Sequence, residues 1–202
     1  ETAFLIRSFD RWGNERTEGG VVFDTILRSV AKRLTRPLTD LELLQISAGI
    51  IDAEQFYTYQ QDGLYFVRPN IAEDKNDGTY EVKYTPMVAA FYFVEINRGG
   101  EFIQGSPFVV EVKPDVTNAT SCLVFCKSVN NCGLGSVQAG IRSVVFIQAR
   151  DRNGNNKTDS LDLFYYSVVG AGGFSKTEEA RPLGPQYPGQ YEINYNPAIA
   201  GE

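Results

Sequence analysis

Nine residues written twice constrain this chain more than any other feature of it. Residues 78–86 read GTYEVKYTP and residues 189–197 read GQYEINYNP. In each copy alternate residues share a character: Tyr80, Val82 and Tyr84 against Glu81 and Lys83, then Tyr191, Ile193 and Tyr195 against Glu192 and Asn194. Successive side chains of a strand point to opposite faces, so both copies predict a strand with one face on a core and the other toward water. Such half-buried strands belong to antiparallel sheets. A second landmark precedes each copy, DRWGN at residues 10–14 and DRNGN at residues 151–155, and an apolar run, AFLI or VVFI, precedes that. The order is kept but the spacing is not: 70 residues separate Asp10 from Tyr80 and 40 separate Asp151 from Tyr191, leaving 30 extra in the first copy. Two landmarks repeated in order predict two related modules.

The rest of the sequence agrees with a folded, strand-rich chain. At 202 residues, with 43% hydrophobic and 22% charged, it has the balance of one large or two ordinary domains. Tyr, Phe and Val between many Gly and Pro favour strands joined by turns. DKNDG (74–78) and PQYPG (185–189) supply a turn before each repeated strand. After the first come AFYFVEINRGGEFI and SPFVVEVKP, read as further strands about the Arg98-Gly99-Gly100 turn, with Pro107 beginning the last. Short strands at this spacing predict a β-sandwich. The surplus residues lie in DTILRSVAKRLTRPLTDLELLQISAGIIDAEQF, which holds better helix formers than the rest. Thr39 or Asp40 can cap a short helix through Leu44, and Pro37 interrupts any continuous one. The expectation is a partly helical insert near residues 26–56; a longer hairpin without a function is the alternative.

Taken together, the apolar strand, D-x-x-G-N, a Gly-Gly pair, D-G-T-Y-x-V-x-Y-x-P and I-x-G-S-P-F-x-V-x-V resemble the filamin-type immunoglobulin-like repeat. The first copy carries this at Asp10, Gly13, Asn14, Gly19, Gly20, Tyr80, Val82, Tyr84, Pro86, Ile103, Gly105, Ser106, Pro107 and Phe108. The second carries it at Cys122, Gly133, Leu134, Asp151, Gly154, Asn155, Gly189, Tyr191, Ile193, Tyr195 and Pro197. The resemblance implies an all-β chain of two tandem filamin-type sandwiches, residues 1–114 with the insert and residues 115–202, C-terminally incomplete. The first copy lacks its opening strand, so the chain reads as a piece of something longer. In the second, NKTDS (156–160) stands where the Gly-Gly pair is expected, and CLVFCKSVNNCGLG adds residues and two cysteines to a short family segment.

Nothing in the sequence points to catalysis. The chain has no His, which removes the usual general base near neutral pH and the commonest metal ligand. Three Cys spaced C-x3-C-x5-C match no standard zinc pattern, and GLGSVQAG (133–140) lacks the Lys of a phosphate loop. Asp159, Asp162, Glu178 and Glu179 are scattered. A formal charge of −6 argues against nucleic acid, and the one basic cluster, LRSVAKRLTR at residues 27–36, reads as a solvated face. No apolar run approaches the roughly 20 residues of a membrane-spanning helix. The expectation is a non-enzymatic protein with no catalytic residue, cofactor or metal, and with no direct membrane insertion in this segment.

The resemblance implies a scaffold in a repeat array of a cytoskeletal or filament-associated protein, binding other proteins and neighbouring repeats by adding a strand to an exposed sheet edge. The candidate edge is Leu161, Leu163, Phe164, Tyr165, Tyr166 and Val168; in the first copy the insert is expected to cover the matching edge. The alternative is an extracellular adhesion receptor ectodomain built from such repeats, with a Cys126–Cys132 disulfide, Cys122 as a small buried hydrophobe, and a glycan on Asn118 or Asn156. Three free thiols in a cytosolic protein fit the first reading, which places the chain at the cytoskeleton rather than the cell surface.

Overall fold

The computed structural model describes residues 2–36, 38–128 and 132–200, in two compact units, Glu1–Val112 and Lys113–Glu202. In the first unit β1 (Thr2–Arg7), β2 (Asp24–Leu34), β3 (Tyr57–Val67), β4 (Glu73–Asp74), β5 (Thr79–Tyr84), β6 (Ala90–Arg98), β7 (Glu101–Phe102) and β8 (Phe108–Val112) form two antiparallel sheets. One runs β1–β5–β4; the other runs β3–β2–β6, with β7 and β8 also on β6. The repeated strand β5 alternates as its sequence predicts: Tyr80, Val82 and Tyr84 are buried against Ile6, Leu27, Tyr92, Val94 and Ile96. Each such aliphatic side chain taken from water stabilises the fold by about 1.5–3 kcal/mol. Outward-facing Glu81 pairs with Lys75 (2.7 Å) and Lys83 (3.3 Å).

The surplus residues are partly helical, as expected, but their first third continues a strand. Residues 26–34 are strand because Leu27 and Val30 are buried in the sheet and β2 has a neighbour on each side. That packing outweighs helix propensity, a weak prior. Beyond β2 lies α1 (Asp40–Ser47), started by a capping box in which Thr39 and Glu42 bond each other's backbone N–H, and running past the expected Leu44. Pro37 lies outside the described residues. A 3-10 turn at Ala53–Phe56 leads into β3, which returns antiparallel along β2 from Leu34↔Tyr57 to Leu27↔Val67. Opposite Ser29 the register breaks, and residues 62–65 of β3 bulge outward. Buried Ser29 donates to the Asp62 carboxylate and accepts the Tyr65 N–H (2.8 Å).

The second unit has β9 (Leu123–Phe125), β10 (Ser143–Gln148), β11 (Tyr165–Val169), β12 (Ser175–Glu179), β13 (Arg181–Pro182) and β14 (Gln190–Tyr195). These make a sheet β13–β14–β10–β9 and a hairpin β11–β12. Its smaller core gathers Ile147, Ala149, Ala180 and Tyr191, with Cys122, Phe164, Tyr166 and Ile193 against them.

The repeated residues do the same work in both units. Tyr80 stands beside Ile6 and Tyr191 beside Ile147 in matching registers. The Tyr80 hydroxyl accepts the Val21 N–H (3.0 Å) and its ring meets Phe23 at 5.0 Å. The Tyr191 hydroxyl accepts the Asp162 N–H (2.9 Å) and its ring meets Phe164 at 4.8 Å. Gly78 and Gly189 open the repeated stretch because both have positive φ and both press on backbone: an added Cβ would lie 1.8 Å from the Arg16 oxygen or 2.6 Å from the Lys157 oxygen. Asp10 and Asp151 each accept two backbone N–H groups and the Asn side chain four residues on. Asp151 is also 1% exposed, and takes a further N–H from Asp115 (3.0 Å). Burial alone would raise its carboxyl pKa, but these hydrogen bonds outweigh burial and hold it below its ordinary value.

Candidate functional site

In an all-β interaction module the edges and loops present the groups a partner can reach. Strand β2 has β6 on one side and β3 on the other, so both of its edges are occupied. Strand β11 has β12 on one side, from Tyr165↔Glu179 to Val169↔Ser175, continued by the Ala180 N–H on the Phe164 carbonyl (2.7 Å). Among the described residues no strand lies on its other edge.

Strand alternation splits the six candidate edge residues into two sets. Phe164 and Tyr166 turn onto the core, where the Tyr166 hydroxyl donates to the Asn194 carbonyl (2.8 Å), and Val168 is half-buried. Leu161, Leu163 and Tyr165 face solvent at 85%, 66% and 70% exposure. The structure also brings in β12, which the sequence reading missed: SKTEE is polar and has no core face to announce it. The Gly-rich GAGGF before it (170–174) is the turn signal that could have revealed the hairpin.

The basic cluster at 27–36 is largely neutralised within the first unit. Arg28 meets Glu95 (3.2 Å), Lys32 meets Glu54 and lies over the Tyr57 and Phe91 rings, and Arg36 grips Glu42 (3.0 Å). Hydrogen bonds from Arg36, and then from Thr39, lower the Glu42 pKa to about 2.

The cysteine loop sits on the outer edge of β10. Strand β9 pairs with residues 146–148 there, and Cys132 bridges to Val144. Cys126 and Cys132 are joined by an S–S bond of 2.05 Å with their Cα atoms 5.6 Å apart. Gly133 follows because a Cβ there would lie within 2.8 Å of Val145 and Tyr195 side-chain atoms; the Tyr195 hydroxyl donates to its carbonyl (2.8 Å). Cys122 is a free thiol, half-buried against the core, with its sulfur on the Asn118 carbonyl (3.3 Å). Asn118 is half-buried and caps a 3-10 turn; Asn156 is exposed, its side-chain oxygen accepting from Arg150 Nε (2.7 Å). Among the described residues no three His, Cys, Asp or Glu side chains gather in a metal-sized group, and no helix is long and apolar enough to cross a membrane.

The family model for the filamin/ABP280 repeat matches residues 1–109. The chain belongs to the filamin repeat family. Filamin-C of Rattus norvegicus and of Mus musculus are each 35% identical to it over 82 residues, 38% of this chain, and the chain spans 3% of their length. Invasin, a bacterial integrin-binding protein, aligns over 98% of this chain and 34% of its own, at 14% identity and a TM-score of 0.44. Filamin repeats are structural and interaction modules rather than enzymes, in keeping with a chain whose recurring geometry, the Asp turns and the tyrosine hydroxyls, holds backbone in place.

Proposed function

We propose that the chain is a stretch of a repeat array in which the first unit is a self-capped spacer and the second accepts an added strand. The observation supporting this is that β2 has neighbours on both edges, β6 on one and β3, which follows the insert, on the other. Among the described residues, by contrast, β11 pairs with β12 alone, and this sequence holds no counterpart of β6 for its other edge. An open strand edge presents unpaired N–H and C=O groups that an extended segment of a partner or a neighbouring repeat can take up. Strand β6, seated on β2 with Tyr92, Val94 and Ile96 turned inward, indicates what fits: an extended segment with alternate apolar residues, supplied by the second copy's own counterpart of β6 or by a neighbouring segment in its place.

The disulfide favours an oxidising setting, hence an adhesion protein at the cell surface. A cytoskeletal setting is the second reading, favoured by the filamin-C relatives.

The edge is tested by titrating a synthetic peptide of the β6 sequence, AFYFVEINR, into isotope-labelled chain. Alternate amides of β11 should shift and become protected from exchange. Shifts confined to the first unit, or none at saturating peptide, would sink the strand-accepting reading. The setting is tested by alkylating native-source material without reductant and mapping its peptides. One alkylated cysteine, Cys122, supports the surface reading, and three return the chain to the cytosol.

A further inference from the structure

Resting on the surface reading, we propose that Asn156 is an N-glycan acceptor and that the other sequon, at Asn118, is not. Both asparagines stand in Asn-x-Thr, through Thr158 and Thr120, but the two environments differ. Asn118 is wound into a turn: its side-chain oxygen accepts the Thr120 N–H (3.0 Å), the Thr120 hydroxyl (2.5 Å) and the Ser121 hydroxyl (3.4 Å). Its own N–H donates to the Arg150 carbonyl (2.8 Å), and the Cys122 sulfur lies on its carbonyl. The sequon threonine is thus spent on closing the 3-10 turn Ala119–Ser121 beside the core.

Asn156 lies at the end of the Asp151 turn on extended backbone, bridged antiparallel to Arg150. It is exposed, as is Thr158. Arg150 engages its side-chain oxygen (2.7 Å), which leaves the nitrogen that takes the sugar out of that bond on an exposed residue. The donor is a polyprenyl-pyrophosphate-linked oligosaccharide. Its C1 bonds to Asn156 Nδ2, the C1–O bond to the pyrophosphate breaks, and one amide proton is lost. The acceptor sits on the turn after β10 and not on β11 or β12, so a glycan there is compatible with a strand on β11.

The test uses the whole chain, from its native source and secreted from eukaryotic cells behind a supplied leader. N-glycosidase in heavy-oxygen water converts an occupied Asn to labelled Asp. Label at residue 156 with none at residue 118 is the expected result. N156Q and T158A should remove the single glycan, T158S should keep it, and N118Q should leave it unchanged. A disulfide-bonded secreted chain without sugar at residue 156 overturns the site while leaving the surface reading standing. Sugar at Asn118 alone overturns the geometric argument. Native chain with three free thiols and bare asparagines overturns both.

Discussion

Replacing Gly78 by Ala tests the claim that the repeated stretch begins with glycine for steric reasons. Gly78 has φ +85°, where an L side chain costs roughly 1–2 kcal/mol. The new Cβ would stand 1.8 Å from the Arg16 carbonyl oxygen, so something must move. Neither strand is free to do so: Ser8 donates to the Gly78 carbonyl through both its N–H (2.9 Å) and its hydroxyl (2.8 Å), and the Arg16 N–H is tied to Ser8 (3.0 Å). Forcing extra volume into a packed site costs about 1–3 kcal/mol more. The sum, about 3 kcal/mol, corresponds to a fall in Tm of roughly 10 °C or more for a unit of this size. Gly20 is the internal control, with φ +94° and nothing within 4 Å of its Cβ position, so Gly20→Ala should cost only the backbone part. Thermal unfolding followed by circular dichroism compares the two. Equal losses at both positions would refute the steric argument and leave only a preference for positive φ.

Three further outcomes follow from the geometry. Tyr80→Phe and Tyr191→Phe each leave one backbone N–H, of Val21 or Asp162, without its acceptor, and should destabilise the respective unit by about 1–3 kcal/mol in urea unfolding; a cost in only one would break the equivalence of the units. Joint replacement of Cys126 and Cys132 by Ser should lower stability by about 2 kcal/mol, the expectation for so short a loop, and raise amide exchange in β9 before the rest of the second unit. The Glu42 carboxyl, held at about 2 against an ordinary 4.5, supports the start of α1 fully above pH 4.5 and loses that support as pH falls toward 2. The Thr39 and Glu42 amides should therefore titrate near pH 2, and Arg36→Gln should move the midpoint toward 4.5; a wild-type midpoint near 4.5 would contradict the ion pair.

What was legible in the sequence was whatever repeats locally. The alternation of 79–84 and 190–195 announced two core strands, and Thr39 or Asp40 announced a helix start, because both signals lie within a few residues of their effect. The strand over residues 26–34 was not legible for the opposite reason: Val30 and Leu27 are held in a sheet by β6 and β3, partners that lie dozens of residues downstream. The polar β12 was hidden likewise, since its pairing with β11 is made by backbone. Of the candidate edge, the two-faced alternation was written in LDLFYYSVV, but which edge β12 would cover was not.

The bulge of residues 62–65 opposite Ser29 has a consequence for the array proposed above. Tethered copies of a module meet at very high effective concentration, where any long straight margin is an invitation to swap strands with the next copy. By capping β2, β3 closes one such margin but creates another along its own outer edge. The bulge cuts that new margin into short, misaligned pieces, so a neighbour can find no continuous stretch to zip onto. In the proposed array the unit can then be strung beside its own kind without entangling.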